Sequence, residues 1–309
     1  MRTLLFLLGL ASASGQFKVD VHLVRLMVNV KNPAGDLVGS LDKDEFAVYD
    51  NGVQQEVAVF ERYTIQPLSV ALMIDISGST FKDLRYEVTS MGKFLSALFA
   101  EGNPRDSAAL YSFNYDVSLL STFTRNQKRL EDRLRFLKPE GGTSLYDAIY
   151  FASQELQGRE GRHVVVMVTD GGDTTSVKQY KDALESVQRA EAIVYPIVVV
   201  PIANDAGRNT GGEHALQTLA GSTGGRWFDP TVGDQLDQAF ADILRDLRAQ
   251  YMIGYYPRGP APGTSPPAAT LPPATQTKII PGFHTVRVEM KRKDLRAFTR
   301  TGYYGVDSR

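Results

Sequence analysis

Two runs of apolar residues, Val70-Ala-Leu-Met-Ile74 and Val164-Val-Val-Met-Val168, constrain this chain more than anything else in it. A strand that is apolar at every position is buried on both faces, which suits a parallel sheet covered by helices and not a half-solvated antiparallel one. Between and beyond these runs, apolar residues recur at helical spacing: Leu84, Val88, Met91, Leu95 and Leu98, then Leu236, Phe240, Ile243, Leu244 and Leu247. The alternation from residue 68 to about residue 250 predicts an α/β domain with a doubly wound, mostly parallel, Rossmann-like sheet. Further strands are expected at 108–113, 117–120 and 193–199, with a short one at 226–228. The strand at 117 follows its predecessor after only Asn114-Tyr115-Asp116, so it pairs as an antiparallel hairpin. Gly221-Ser-Thr-Gly224-Gly225 ends a helix beginning near Glu213, with glycine where a left-handed cap is wanted.

The flanks read differently. Residues 17–62 alternate apolar and polar, with a hairpin turn at Asp50-Asn51-Gly52. Val19, Val21 and Leu23 share one parity and Val24, Leu26, Val28 and Val30 the other, which implies a bulge or a change of sheet at the slip. Residues 251–256 and 284–290 also alternate. Between them, eight of the chain's 15 prolines fall within 257–281, a stretch without apolar periodicity that is expected to be mobile. Neither flank has enough strands to bury a face alone. The expected organisation is therefore a small β-sandwich made of residues 16–67 and 251–309, with the α/β domain, 68–250, inserted between its halves.

Met1 and Arg2, the apolar stretch Leu4–Leu10 and Ala11-Ser-Ala13 form a secretory leader pattern over residues 1–15, predicting export to the periplasm or the extracellular space. The apolar stretch is shorter than the ~18 residues of a membrane-spanning helix, and the mature chain has no candidate span. There is no cysteine, so neither a disulfide nor a lipid-bearing thiol is available. A net charge of −1 gives no global electrostatic reason to expect nucleic acid as a partner.

Both apolar runs end in an acid. The first leads into Asp75-Ile-Ser77-Gly-Ser79 and the second into Thr169-Asp170-Gly171, while Gly141-Gly142-Thr143-Ser144 opens a helix between them. In open α/β sheets the crevice beyond the carboxyl ends of the strands is where ligands bind. The donors, Asp75, Ser77, Ser79, Thr143 and Asp170, are all hard oxygens, which suits Mg²⁺, with Mn²⁺ or Ca²⁺ as alternatives. Helix capping explains Ser79 or Ser144 singly but not a matching acid on a separate strand.

This DxSxS, threonine and aspartate set resembles the metal-ion-dependent adhesion site of von Willebrand factor type A domains. The resemblance implies a non-enzymatic module whose ion takes an acidic oxygen from a protein ligand presenting a carboxylate. Gly39-Ser-Leu41-Asp42, Asp50-Asn-Gly52-Val-Gln-Gln55, Gly254-Tyr255-Tyr256 and Arg300-Thr-Gly302-Tyr303-Tyr304 are similar to marks of exported bacterial proteins related to that family. Two other readings stand beside it: an envelope or assembly subunit whose ion is purely structural, and a Mg²⁺-dependent phosphohydrolase. The hydrolase motif wants a second carboxylate two residues after Asp75, where this chain has Ser77, and neither serine has a neighbouring histidine base in sequence. Asp173 is a candidate outer acid, Asp147 a first-turn acid, and the four histidines are isolated. The basic residues from Arg287 to Arg300 read as a solvated edge strand.

Overall fold

Val24, Leu26, Val28 and Val30 turn one face of β1 (Val24–Lys31) into a core, alternating with more polar neighbours. The strand begins where the parity slips; Val19 and Val21 lie outside the residues described by the computed structural model, which are 23–199, 209–258 and 282–305. The leader 1–15 and most of the proline-rich stretch, 259–281, also lie outside them. After β1 come β2 (Phe46–Asp50), β3 (Val53–Gln55) and β4 (Val57–Glu61). Asn51 and Gly52, at φ 48° and 80°, form the turn between β2 and β3, a conformation that asparagine and glycine tolerate.

The α/β domain follows with β5 (Leu68–Asp75), α1 (Leu84–Glu101), β6 (Ser107–Phe113), β7 (Val117–Thr124), α2 (Gln127–Leu134), α3 (Leu145–Gln157), β8 (Arg162–Thr169), α4 (Tyr180–Arg189), β9 (Ile193–Val198), α5 (Thr210–Thr223) and α6 (Asp234–Arg248). Its sheet runs β7-β6-β5-β8-β9, parallel except for β7, which pairs antiparallel with β6 as the short connection required. One face packs on α1, α2 and α6 and the other on α3, α4 and α5, so the sheet is doubly wound. All eight residues of β5 are buried. A fully buried Leu or Val contributes about 1.5–3 kcal/mol, so a central truncation such as Leu72→Ala, with the cavity it leaves, costs about 2–5 kcal/mol. The expected strand at 226–228 is instead a single parallel bridge from Phe228 to Ile197, since Gly224 and Gly225 have just turned the chain out of α5.

The remaining strands are β10 (Tyr251–Tyr255), β11 (Phe283–Met290), β12 (Arg296–Phe298) and β13 (Gly302–Tyr304). They interleave with the first four as two sheets, β12-β1-β10-β4 and β13-β11-β2-β3, enclosing a third core. Because β10 separates β1 from β4, the N-terminal flank cannot build its sheet unaided. β10 is buried at every position, not at alternate ones. The basic C-terminal residues do not form one edge strand. Arg287 lies on β11, between β13 and β2, Arg300 is buried, and of the strands that carry these basic residues only β12 is an edge. Among the described residues no helix is long and apolar enough to cross a membrane.

Candidate metal centre

Asp75 is the last residue of β5 and is fully buried. Its Oδ1 accepts a hydrogen bond from the Ser77 amide at 2.8 Å and its Oδ2 one from the Thr169 hydroxyl at 2.7 Å. A 3-10 turn, Gly78–Lys82, follows, with Ser77 at its N-terminus. Neither serine caps it: the Ser77 and Ser79 hydroxyls lie 3.0 Å apart, and the Ser79 hydroxyl donates to Asp170 Oδ2. Asp170, just past β8, also accepts from the Gly172 amide at 3.3 Å. Asp75, Ser77, Ser79 and Asp170 therefore form one hydrogen-bonded group at the carboxyl ends of β5 and β8.

Thr143 shares none of these side-chain bonds but is carried to the group by its backbone. Gly78 N–H donates to Gly141 O at 3.1 Å and Glu140 N–H to Ile76 O at 2.9 Å, stitching the 140–143 loop to the serine turn. On its other side Thr143 N–H donates to Thr174 Oγ1, and Thr143 O accepts from the Thr174 and Thr175 amides. The two glycines before it are needed. Gly141 has φ 76° beneath the Tyr115 ring, and a Cβ on Gly142 would come within 2.8 Å of Thr174 Oγ1 and Thr175 Cγ2.

Burial, and then the neighbouring Asp170 carboxylate, push the Asp75 carboxyl up to about 6. Glu87 on α1 was not singled out in the sequence. It is buried, its Oε2 has no hydrogen-bond partner among the described residues, and burial followed by Asp75, Asp83 and Asp170 holds its pKa well above the usual carboxylate range. The signal was present: Glu87 lies three residues after Leu84 and four before Met91, an acid on the apolar stripe of its own helix. Thr169 was likewise not foreseen as a partner of Asp75.

Asp173 and Asp147 do other work. Asp173 Oδ1 accepts from the Tyr146 amide and the Ser176 hydroxyl, capping the first turn of α3, and Asp147 accepts from the Val177 and Lys178 amides. Ser144 precedes α3 without capping it; its hydroxyl donates to Tyr115 O at 3.1 Å. His163 is held between the Ala190 and Arg159 carbonyls and His284 lies against Asp50, both away from the group. The donor set fits a hard divalent cation. It is all oxygen, it carries two carboxylates close enough for one to raise the pKa of the other, and the buried Glu87 carboxyl nearby has an Oε2 without a hydrogen-bond partner among the described residues.

Residues 70–172, the span containing all five of these residues, match the family model described as von Willebrand factor type A domain. The chain thus carries a domain of that type. No curated protein matches. Among solved structures the chain is similar to the vWF domain of a type V pili tip protein from Porphyromonas gingivalis, at 15% identity over 59% of this chain and 95% of that one, with a TM-score of 0.48. It is similar to the PilB minor pilin from Streptococcus sanguinis at 12% identity, over 60% of this chain and 62% of that one, with a TM-score of 0.47. A third similarity is to the conserved hypothetical protein BatB from Bacteroides thetaiotaomicron, at 17% identity over 58% and 98% of the two chains, with a TM-score of 0.44.

Proposed function

We propose that this protein is a non-enzymatic, divalent-metal-dependent protein-binding module of the cell envelope or exterior. The observation that carries this reading is the convergence of Asp75, Ser77, Ser79 and Asp170 into one oxygen-only group at the carboxyl end of the sheet, with Thr143 stitched beside it. Those five residues would hold the ion, Mg²⁺ or alternatively Mn²⁺ or Ca²⁺, which when bound supplies an electrophilic position for a carboxylate oxygen of a partner. The chain's own part is to hold the donors ready. Ser77 N–H and Thr169 fix both oxygens of Asp75, and the Ser77–Ser79–Asp170 bonds join the turn after β5 to the loop after β8. A serine-based hydrolase is less well supported, because the two hydroxyls bond each other and Asp170 and have no imidazole partner among the described residues.

The test is capture of partners from an envelope fraction by the full chain, with and without chelator. A partner lost both on chelation and in Ser79→Ala supports the reading. A partner held equally in chelator points instead to a scaffold whose ion is structural.

A further inference from the structure

At the opposite, amino-terminal end of the parallel sheet, the seam between the α/β domain and the β-sandwich encloses a cavity of about 70 Å³. Its lining brings together Arg162 and Glu191 from the α/β domain with Arg25 and Arg300 from the sandwich, three cations against one anion. Two of the cations are more than nine-tenths buried, Arg162 at 7% exposure and Arg300 at 9%.

Arg300 is incompletely satisfied. Nη2 donates to Arg25 O at 2.9 Å, and Nη1 lies 3.0 Å from Glu191 Oε1 without the alignment of a hydrogen bond. Nε has no hydrogen-bond partner among the described residues. Arg162 uses Nε on Gln66 O and Nη1 on Leu247 O and Gln250 Oε1, and brings its charge to the cavity wall. An unpaired N–H of a buried guanidinium is costly, and its natural complement is an oxyanion accepting from the planar fork. Burial also lowers the Arg162 pKa to about 10, with Asp106 acting against that fall.

The one acid at the mouth is placed at a backbone cost. Glu191 sits at φ 51°, in the left-handed region that non-glycine residues rarely adopt. Its carboxylate is more than half exposed, so it shields Arg300 from outside without filling the cavity.

We propose that this cavity binds a small oxyanion of the phosphate or sulfate class, held by Arg300 and Arg162 across the seam, with Glu191 as a competing carboxylate at its mouth. The site is independent of the metal centre, and occupancy would clamp the inserted domain to the sandwich.

Isothermal titration of the full chain with inorganic phosphate and with sulfate, in chelator and at constant ionic strength, tests this. One saturable site is expected, lost in Arg300→Gln and tightened about two- to five-fold in Glu191→Gln, the range an exposed charge contributes. Arg300 also supports β1 through Arg25 O; if its variant fails to fold, Glu191→Gln, on an exposed side chain, decides alone. No saturable binding by the wild-type chain, or an affinity unchanged in Glu191→Gln, overturns the assignment.

Discussion

Replacing Asp75 by asparagine isolates the energetic cost of burying its carboxylate beside Asp170. In the ion-free protein the Asp75 pKa rises from 3.8 to about 6, mainly through burial and then through Asp170. The folded state therefore holds this proton more tightly than the unfolded chain. Below pH ~4 both states are protonated and nothing is lost. As pH climbs through about 6 the folded state must give up a favoured proton, and stability falls by up to about 3 kcal/mol. The asparagine side chain never ionises, yet its amide oxygen can still accept from Ser77 N–H. Against that, the Thr169 hydroxyl loses its acceptor Oδ2, a loss of about 1 kcal/mol. The balance makes Asp75→Asn more stable than wild type by about 2 kcal/mol at pH 7.5 in chelator, a gain that shrinks as pH falls and has reversed by pH ~4. Urea melts of both proteins from pH ~4 to ~8 in chelator measure it. A variant no more stable than wild type at pH 7.5, or a difference independent of pH, refutes the reasoning.

Three further outcomes follow from other parts of the molecule. Tyr303→Phe removes the 2.7 Å bond that its hydroxyl donates to buried Asp50, and should cost about 1–3 kcal/mol in a urea melt. Gly224→Ala should lower stability by more than about 1 kcal/mol, because its φ is 84° and an added Cβ would lie 2.8 Å from the Thr299 carbonyl carbon and 2.9 Å from the Arg300 nitrogen. The N-terminal flank expressed alone as residues 23–67 should be unfolded by circular dichroism, since β10 is missing between β1 and β4; a cooperative melt would contradict the interleaved sandwich.

The central sheet was legible because four of its strands are apolar over nearly their whole length, and the hairpin to β7 because only three residues link it to β6. The site was legible where chemistry and position coincide: acids at the ends of two buried strands and serines two residues apart. What escaped depends on contacts distant in sequence. Asp50 reads as a turn residue, yet it accepts from Tyr255, Tyr303 and His284, more than two hundred residues away. The alternation expected of β10 failed because the strand is covered on both faces, and a strand's own pattern does not say what covers it. The basic stretch near the C-terminus looked uniformly solvated, but Arg300 is drawn inward to Arg25 and Glu191 by the seam between domains. Glu87 is legible only as one acid on the apolar stripe of α1, and its burial beside Asp75 depends on how that helix packs on the sheet.

In the function proposed above, Asp75, Ser77, Ser79, Thr143 and Asp170 hold one divalent ion. Isothermal titration of the full chain with Mg²⁺ and with Mn²⁺, beside Asp170→Ala, tests it most directly, since Asp170 is only partly buried and its loss should leave the fold intact. One site is expected in the wild-type chain and none in the variant. Absence of binding in the wild-type chain, or equal binding by a folded Asp170→Ala, would contradict it.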